Sequence, residues 1–145
     1  MSFFPSLEEQ NGLFYKSNFN TPFTGSTEST YSDGGPYVSA TFKEGKFHGI
    51  YTAWYFNGQK MGETHYRNGK KEGMATAWHE NGRKASEVKF LNDERQGKLE
   101  VFHPTGEKST EAFFKADELD STITQWDVDG NVISVEVYEE GVLIE

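Results

Sequence analysis

Apolar and polar side chains alternate with a period of two residues through much of the chain, which is typical of β-strands because successive strand residues point to opposite faces of a sheet. One clear stretch has Ile50, Thr52 and Trp54 alternating with Tyr51, Ala53 and Tyr55. Asn-Gly pairs separate such stretches, and they are a strong signal for a β-hairpin turn. These pairs are Asn57-Gly58, Asn68-Gly69 and Asn81-Gly82.

The chain repeats itself with a period of 24 residues. One aromatic series is Phe42, Tyr66, Phe90, Phe114 and Tyr138, and a second is Trp54, Trp78, Phe102 and Trp126. Three glycine series keep the same spacing: Gly25, Gly49, Gly73 and Gly97; Gly34, Gly58, Gly82, Gly106 and Gly130; and Gly45, Gly69 and Gly141, with Asp93 and Asp117 between the last two. A fixed period of roughly 20–50 residues indicates a repeat array.

Each repeat is predicted to hold two strands and two turns. No interval between turns is long enough for a crossover helix, so consecutive strands must be antiparallel neighbours. The predicted fold is all-β, an elongated single sheet of antiparallel β-hairpin repeats with meander connectivity. Residues 18–145 form the array, with about five repeats and the last one partial, and residues 1–17 form an N-terminal cap segment.

In this cap, Phe3, Phe4 and Leu7 are predicted to fold over the first hairpin, and residues 6–9 are long enough for one helical turn. Equivalent residues of successive repeats lie two strands apart, at about 10 Å. The tryptophan series is therefore predicted to form a ladder on one face, its gaps filled by Ala53, Ala77 and Ala112 or by the Phe/Tyr series. The alternation alone leaves open which aromatic series occupies which face.

Several segments resemble a known family. Asn68-Gly69-Lys70-Lys71-Glu72-Gly73, followed by Trp78 and by Asn81-Gly82-Arg83-Lys84, resembles the variant MORN repeat, and residues 45–60 repeat the arrangement. The opening, residues 11–15 and 22–25, resembles the YwqK-type proteins, bacterial chains generally labelled antitoxins. The resemblance implies a toxin-neutralising or immunity protein, or an interaction platform, with no catalytic residues. The units after Phe90 depart from the pattern at Asp93, Phe102, Pro104 and Ser121.

Composition narrows the classes of partner. The hydrophobic fraction is 34%, below the roughly 45–50% of globular domains with a thick core. The net charge of −9 argues against nucleic acid and anionic membranes as partners and favours a basic protein. Residues 1–41 carry one base and four acids, residues 42–89 nine bases and five acids, and residues 90–145 four bases and fourteen acids. The chain has no cysteine, and the default expectation is a cytoplasmic protein.

The sequence offers few candidates for catalytic or metal-binding residues. Glu63, Glu87 and Glu111 share one repeat position and are expected to pair, across strands or diagonally, with Lys60, Lys84 and Lys108. His79 and His103 also share a position, but two strands separate them, too far for a common zinc ion, so they are expected to face solvent. The sequence has no phosphate-binding loop and no nucleophile elbow. We expect no catalytic residues, no metal and no cofactor.

The predicted partner-binding surface is the acidic C-terminal third. It consists of Asp117, Glu118, Asp120, Asp127, Asp129, Glu136, Glu139 and Glu140. The leading hypothesis is a non-enzymatic module that binds and neutralises a protein toxin, with these acids attracting a basic partner. The same acids also suit solubilising a thin sheet and protecting its last strand from edge-to-edge pairing. The alternative function is a structural scaffold that self-associates end to end, and the third hypothesis is an enzyme.

Overall fold

A computed structural model describes residues 3–145 and confirms the all-β meander. Its strands are β1 (Leu7–Gln10), β2 (Leu13–Lys16), β3 (Gly25–Thr30), β4 (Pro36–Lys43), β5 (Lys46–Phe47), β6 (Gly49–Trp54), β7 (Lys60–Arg67), β8 (Lys70–Trp78), β9 (Lys84–Leu91), β10 (Glu94–Arg95), β11 (Gly97–Phe102), β12 (Lys108–Lys115), β13 (Glu118–Trp126), β14 (Val132–Glu139) and β15 (Val142–Leu143). Thirteen strands form one antiparallel sheet in the order β3-β4-β6-β7-β8-β9-β11-β12-β13-β14-β15, with β5 beside β4 and β10 beside β9. Residues 3–145 contain no helix with the length and hydrophobicity that a membrane crossing requires.

One long edge of the sheet consists of two-residue turns, and we call it the tight-turn edge. Both central residues of each turn have positive φ, as a type I′ hairpin requires. In each turn the second residue's amide donates to a carbonyl 22 residues earlier, which ties the turn to the preceding repeat. The donors are Gly45, Gly69, Asp93, Asp117 and Gly141, with N···O distances of 2.8–3.0 Å.

The other long edge, the wide-turn edge, consists of the five-residue turns 31–35, 55–59, 79–83, 103–107 and 127–131. Here the first residue of a turn reaches forward to a carbonyl of the next repeat. Tyr55 Oη donates to the carbonyl of Trp78 at 2.7 Å, and His79 Nε2 lies 2.8 Å from the carbonyl of Phe102. Since a carbonyl only accepts, this imidazole nitrogen must carry the hydrogen. The expectation of solvent-facing histidines is therefore wrong, because His79 and His103 are half-buried and link repeats.

Each long strand after a wide turn contains one extra residue. In β7, Trp54 lies opposite Lys60 and Ala53 opposite Gly62, so Met61 has no counterpart and forms a β-bulge. The bulge brings Lys60 and Glu63 to the same face, where their charged atoms lie 2.8 Å apart. The equivalent pairs, Lys84–Glu87 and Lys108–Glu111, lie 2.7 and 2.6 Å apart. The expected pairing across strands is thus wrong in detail, because each ion pair lies within one bulged strand.

The two aromatic series lie on opposite faces. Directly opposed residues share a face, and this register places Phe42, Tyr66, Phe90, Phe114 and Tyr138 on one side, the ring face. The tryptophan series lies on the other side, the Trp face. The alanines lie on the ring face and do not fill the tryptophan ladder as expected. Lysines occupy those gaps instead: Lys60 Nζ lies 5.9 Å from the ring centroid of Trp78.

The core sits at the N-terminal end of the ring face. Phe4, Leu7, Val38, Ala40 and Phe42 are buried there, and the Phe4 ring packs edge-on against Phe42 at 5.5 Å. Phe4 and Leu7 therefore fold over the array as the sequence predicts. The helical turn expected at residues 6–9 is wrong, because β1 pairs with β2 through an Asn11-Gly12 turn. An extended strand satisfies its backbone groups across that hairpin, which one isolated helical turn cannot do.

Candidate functional site

The structure divides the eight acidic candidate residues between the two long edges. Asp117, Glu118, Asp120, Glu139 and Glu140 lie at the tight-turn edge, whereas Asp127 and Asp129 lie in the last turn of the wide-turn edge. Glu136 lies between them, on the ring face of β14. The nine residues of β13 separate the edges by about 26 Å, at ~3.3 Å per residue. These residues therefore form two clusters rather than one continuous patch.

Two of the acids already serve the fold. The Asp117 carboxylate accepts hydrogen bonds from the Arg95 guanidinium and from the Arg95 backbone amide, and these hold the pKa of Asp117 below its usual value. The Asp127 carboxylate accepts from the backbone amides of Asn131 and Asp129, at 2.9 and 3.0 Å. Those bonds, the one from Asn131 first, likewise lower the pKa of Asp127. Both side chains therefore stabilise turns through hydrogen bonds.

The remaining acids at the tight-turn edge form what we call the acidic junction: Glu118, Asp120, Glu139 and Glu140. The stem of Glu118 runs beside the next turn, with its Cβ, Cγ and Cδ 3.7–3.8 Å from the position that a Cβ on Gly141 would occupy. Glu118, Asp120 and Glu140 line a shallow cavity of about 140 Å³, together with Lys115 and Ala116. Lys115 lies directly opposite Glu118 and is the cation of this group. The junction is a small, exposed, negatively charged surface.

An open strand edge lies beside this junction. In the described chain, β14 pairs with β13 on one side, but on its other side only Tyr138 and Glu139 face a strand, the two-residue β15. The equivalent strands β4, β7, β9 and β12 have strands on both sides. Six apolar side chains of β14 and the β15 segment are 54–65% exposed: Val132, Ile133, Val135, Val142, Leu143 and Ile144. The predicted partner-binding surface does not include these apolar side chains, although the apolar run 142–144 after the last complete repeat is a visible signal in the sequence.

Paired charges run across the middle of the Trp face. Glu87, Glu100 and Glu111 lie directly opposite one another on β9, β11 and β12. Lys108 Nζ bridges Glu100 and Glu111 at 2.8 and 2.6 Å, and the hydrogen bond from Lys108 is the main cause of the lowered pKa of Glu100. The hydrogen bond from Lys60 lowers the pKa of Glu63 in the same way. These shifts move the carboxyls away from the near-neutral pKa that a general acid or base needs, so the row reads as structural.

The N-terminal end of the ring face holds a groove. An open groove of about 590 Å³ lies between the N-terminal hairpin and the ring face, with Phe3, Leu7, Phe47 and Tyr51 in its wall. Partial burial there raises the pKa of Tyr51. Within residues 3–145, no group of three or more His, Asp and Glu side chains is arranged to hold a metal ion.

One repeat of the array matches a known repeat family. Residues 47–68 match the MORN repeat variant. The match spans β6, the wide turn 55–59 and β7, which is the unit that the structure repeats every 24 residues. A MORN repeat indicates a binding module for proteins or membranes, and the repeat family is non-catalytic. No curated protein matches the chain. The resemblance to YwqK-type antitoxins stays a prediction.

Proposed function

We propose that this chain is a non-enzymatic binding module that captures a basic protein with its C-terminal end. The observation that carries the proposal is that three features occur together at the C-terminal end of the array: the half-open strand β14, six exposed apolar side chains, and the acidic junction, whose carboxylates form no ion pair within residues 3–145. An exposed apolar strand edge is normally protected in a stable monomer. A partner strand on this edge would add backbone hydrogen bonds, bury apolar surface and place basic side chains near the acids.

The partner binds, in this proposal, by adding a strand to β14 along Val132–Glu136. Main-chain hydrogen bonds to a free edge supply affinity, and alternate side chains supply specificity. Val132 and Val135 offer apolar contact on the Trp face, and Glu139 and Glu140 lie just beyond the open segment. The surrounding negative potential accelerates encounter with a basic protein, an effect that falls as salt concentration rises.

The finer proposal is that the partner is a toxin and that binding neutralises it. Two observations support it: the excess of ten acids over bases in residues 90–145, and the resemblance of the opening of the chain to antitoxins. Enzymes that cleave nucleic acid tend to carry basic surfaces, because phosphate backbones attract Lys and Arg. An acidic strand-capturing surface is complementary to such a protein.

Affinity capture from the source organism followed by mass spectrometry tests the binding proposal. The wild type is compared with a Glu118→Lys/Glu140→Lys variant and with a Glu80→Lys/Glu107→Lys control, which has the same net charge but alters exposed acids of the wide-turn edge. We expect one basic protein captured by the wild type and the control and lost with the first variant. Equal capture by all three proteins would remove the acidic junction from the proposal.

Co-expression tests the toxin proposal separately. The gene for the captured protein is induced with and without this chain, and growth is followed. We expect growth arrest by the partner alone and rescue by the wild type, with weaker rescue by the Glu118→Lys/Glu140→Lys variant. A captured partner that is harmless when expressed alone would leave the binding module intact and exclude neutralisation.

A scaffold is the second candidate function, and one specific observation favours it. The strand β3 is the opposite end of the sheet, and Gly25 occupies the repeat position of Gly49, Gly73 and Gly97. Ten alternating strands run from β3 to β14, so β3 of a second copy would continue the sheet antiparallel to β14. Such head-to-tail addition forms open filaments. Sedimentation velocity over a hundredfold range of concentration tests it, and a single species throughout would exclude it.

A further inference from the structure

The tight-turn edge carries a second charged surface at its other end, of opposite sign. Lys43 lies directly opposite Lys46 across the first tight turn of the array, and Arg67 lies directly opposite Lys70 across the next. The corresponding pairs in later repeats are Leu91 with Glu94, Lys115 with Glu118 and Glu139 with Val142. The same positions can therefore hold an oppositely charged pair or a single acid beside an apolar residue, and among the described tight turns only the first two hold two cations.

Packing brings these two turns together. The Cβ, Cγ and Cδ atoms of Lys46 lie 3.6–3.8 Å from the position that a Cβ on Gly69 would occupy, so the lysine stem runs along the second turn. The amide of Gly69 donates to the carbonyl of Phe47 at 2.8 Å, and the amide of Asn68 donates to His48 Nδ1 at 3.2 Å. These contacts fix the second turn against the first. We call Lys43, Lys46, Arg67 and Lys70 the basic junction.

In the described part of the chain, the four cations have no counter-ion. Within residues 3–145, no carboxylate lies within 4 Å of any of their charged atoms. Glu72 and Asp93, in the neighbouring repeat, accept hydrogen bonds from the amides of Asn92 and Lys71, at 2.8 and 2.7 Å. Glu44, exposed in the first turn, is the acid closest along the chain. Like charges directly opposite each other destabilise a sheet, so two such pairs in a protein of net charge −9 require an explanation.

We propose that the basic junction is a docking site for an acidic polypeptide segment. Its two turns lie two strands apart, about 10 Å at ~4.8 Å per strand. An extended segment in the polyproline II conformation presents the same face every third residue, after about 9 Å. A segment with Asp or Glu at every third position therefore places one carboxylate at each turn. Binding relieves the repulsion within both cation pairs.

This site is independent of the proposed function. It lies at the N-terminal end of the tight-turn edge, three repeats from the acidic junction, and takes a partner of the opposite charge. The test is therefore made without any basic protein. The probe is a fluorescein-labelled twelve-residue peptide with Glu at every third position, compared with a peptide of the same composition whose glutamates are contiguous. Fluorescence anisotropy measures both at roughly 50 mM and 200 mM salt.

Charge reversal supplies the decisive variants. Lys46→Glu and Lys70→Glu should each weaken binding of the spaced peptide about tenfold, and the control Lys89→Glu should change it less than twofold. Lys89 is an exposed lysine of β9 that lies opposite Met74, away from the junction. Each test substitution also creates an opposite-charge pair, Lys43 with Glu or Arg67 with Glu. The melting temperature should therefore not fall, which separates lost binding from lost folding.

Four results would overturn the assignment. No binding of the spaced peptide at low salt, or equal loss with Lys89→Glu, removes the docking site. Binding of phosphatidylserine vesicles or inorganic phosphate without binding of the peptide assigns the cations to a different ligand class. Self-association of the wild type at low salt that Lys70→Glu abolishes assigns the junction to the acidic end of a second copy. Salt-dependent binding that prefers the spaced peptide and is lost in both test variants supports the proposal.

Discussion

Two regions of the ring face cover their aromatic rings with different side chains: the N-terminal end, around Phe42 and Tyr66, and the cation-covered region, around Phe90 and Phe114. A single sheet has no second layer, so each repeat's ring must be covered by a side chain from the preceding repeat. In the first two repeats that cover is another ring: Phe23 lies 5.7 Å from Phe42, and Phe47 lies 5.1 Å from Tyr66. In the next two repeats the same position holds a cation. Lys71 Nζ lies 4.9 Å from the centroid of Phe90, and the Arg95 guanidinium carbon lies 4.1 Å from that of Phe114.

The difference shows how one backbone unit serves both the end that the N-terminal hairpin caps and the cation-covered region further along the sheet. The apolar covers join the N-terminal hairpin in a continuous core, in which Phe42 is 1% exposed. The cationic covers place a charged group that remains in water over each ring: Phe114 is only 8% exposed, whereas Phe90 is half-buried. Cation–π contacts at such exposed sites contribute only about 0.5–1 kcal/mol each. The cation-covered region keeps its rings covered without the N-terminal hairpin, but we expect this cover to stabilise the fold less than the apolar core does.

The largest expected effect is at the centre of the capped end. Phe42→Ala removes a ring that contacts Phe4, Phe14, Phe23 and Phe47 and should lower the free energy of unfolding by about 3–5 kcal/mol. The matched change Phe114→Ala, at the same repeat position, should cost less, because Arg95 can return to water. Urea unfolding measures both. Equal losses of unfolding free energy would contradict the distinction between the capped end and the cation-covered region.

Gly45 and Gly97 have similar backbone angles but different surroundings. Gly45 has φ +79°, and a Cβ there would lie 3.0 Å from the Phe14 carbonyl oxygen and 3.1 Å from Leu13 Cβ, within the docked hairpin. Gly97 has φ +87°, and a Cβ there would meet nothing within 4 Å. Gly97→Ala should cost about 1–2 kcal/mol from backbone strain alone, and Gly45→Ala about 1 kcal/mol more. Thermal unfolding measures the difference, and its absence would show that the cap adjusts freely.

Ser121 offers a way to increase the stability of the last repeats. It stands at the repeat position of Gly49, Gly73 and Gly97 and, like them, has positive φ, +79°. Ser121→Gly should raise the free energy of unfolding by about 0.5–1 kcal/mol, because a left-handed conformation costs a serine more than a glycine. Its counterpart, Gly97→Ser, should lower it. Thermal unfolding of the pair measures both signs, and a destabilised Ser121→Gly variant would contradict this explanation.

The sequence predicts the period, the hairpins and the antiparallel order, because these follow from local turn signals and alternation. It does not predict which aromatic series lies on which face. The bulge residues Tyr37, Met61, Ala85, Ser109 and Ile133 reverse the alternation, yet they share no chemical property. A covering side chain and its ring, such as Arg95 and Phe114, are 19 residues apart in the sequence, so no local pattern predicts their contact. The division of the acids between two edges likewise follows from the length of β13, which composition does not encode.

The smallest expected effect is a pH dependence of stability that is confined to the cation-covered region. Bonds from Arg95 hold the pKa of Asp117 below its usual 3.8, so the contribution of this pair to stability is complete above about pH 4 and is lost as pH falls through the lowered pKa. Arg95 then loses the partner that holds it over Phe114, whereas the ring covers Phe23 and Phe47 carry no titratable group. Asp117→Asn should remove this acid response. NMR spectra recorded from pH 5 to 2 should show Phe114 moving before Phe42 in the wild type only; Phe114 moving equally in Asp117→Asn would show that another carboxyl is responsible.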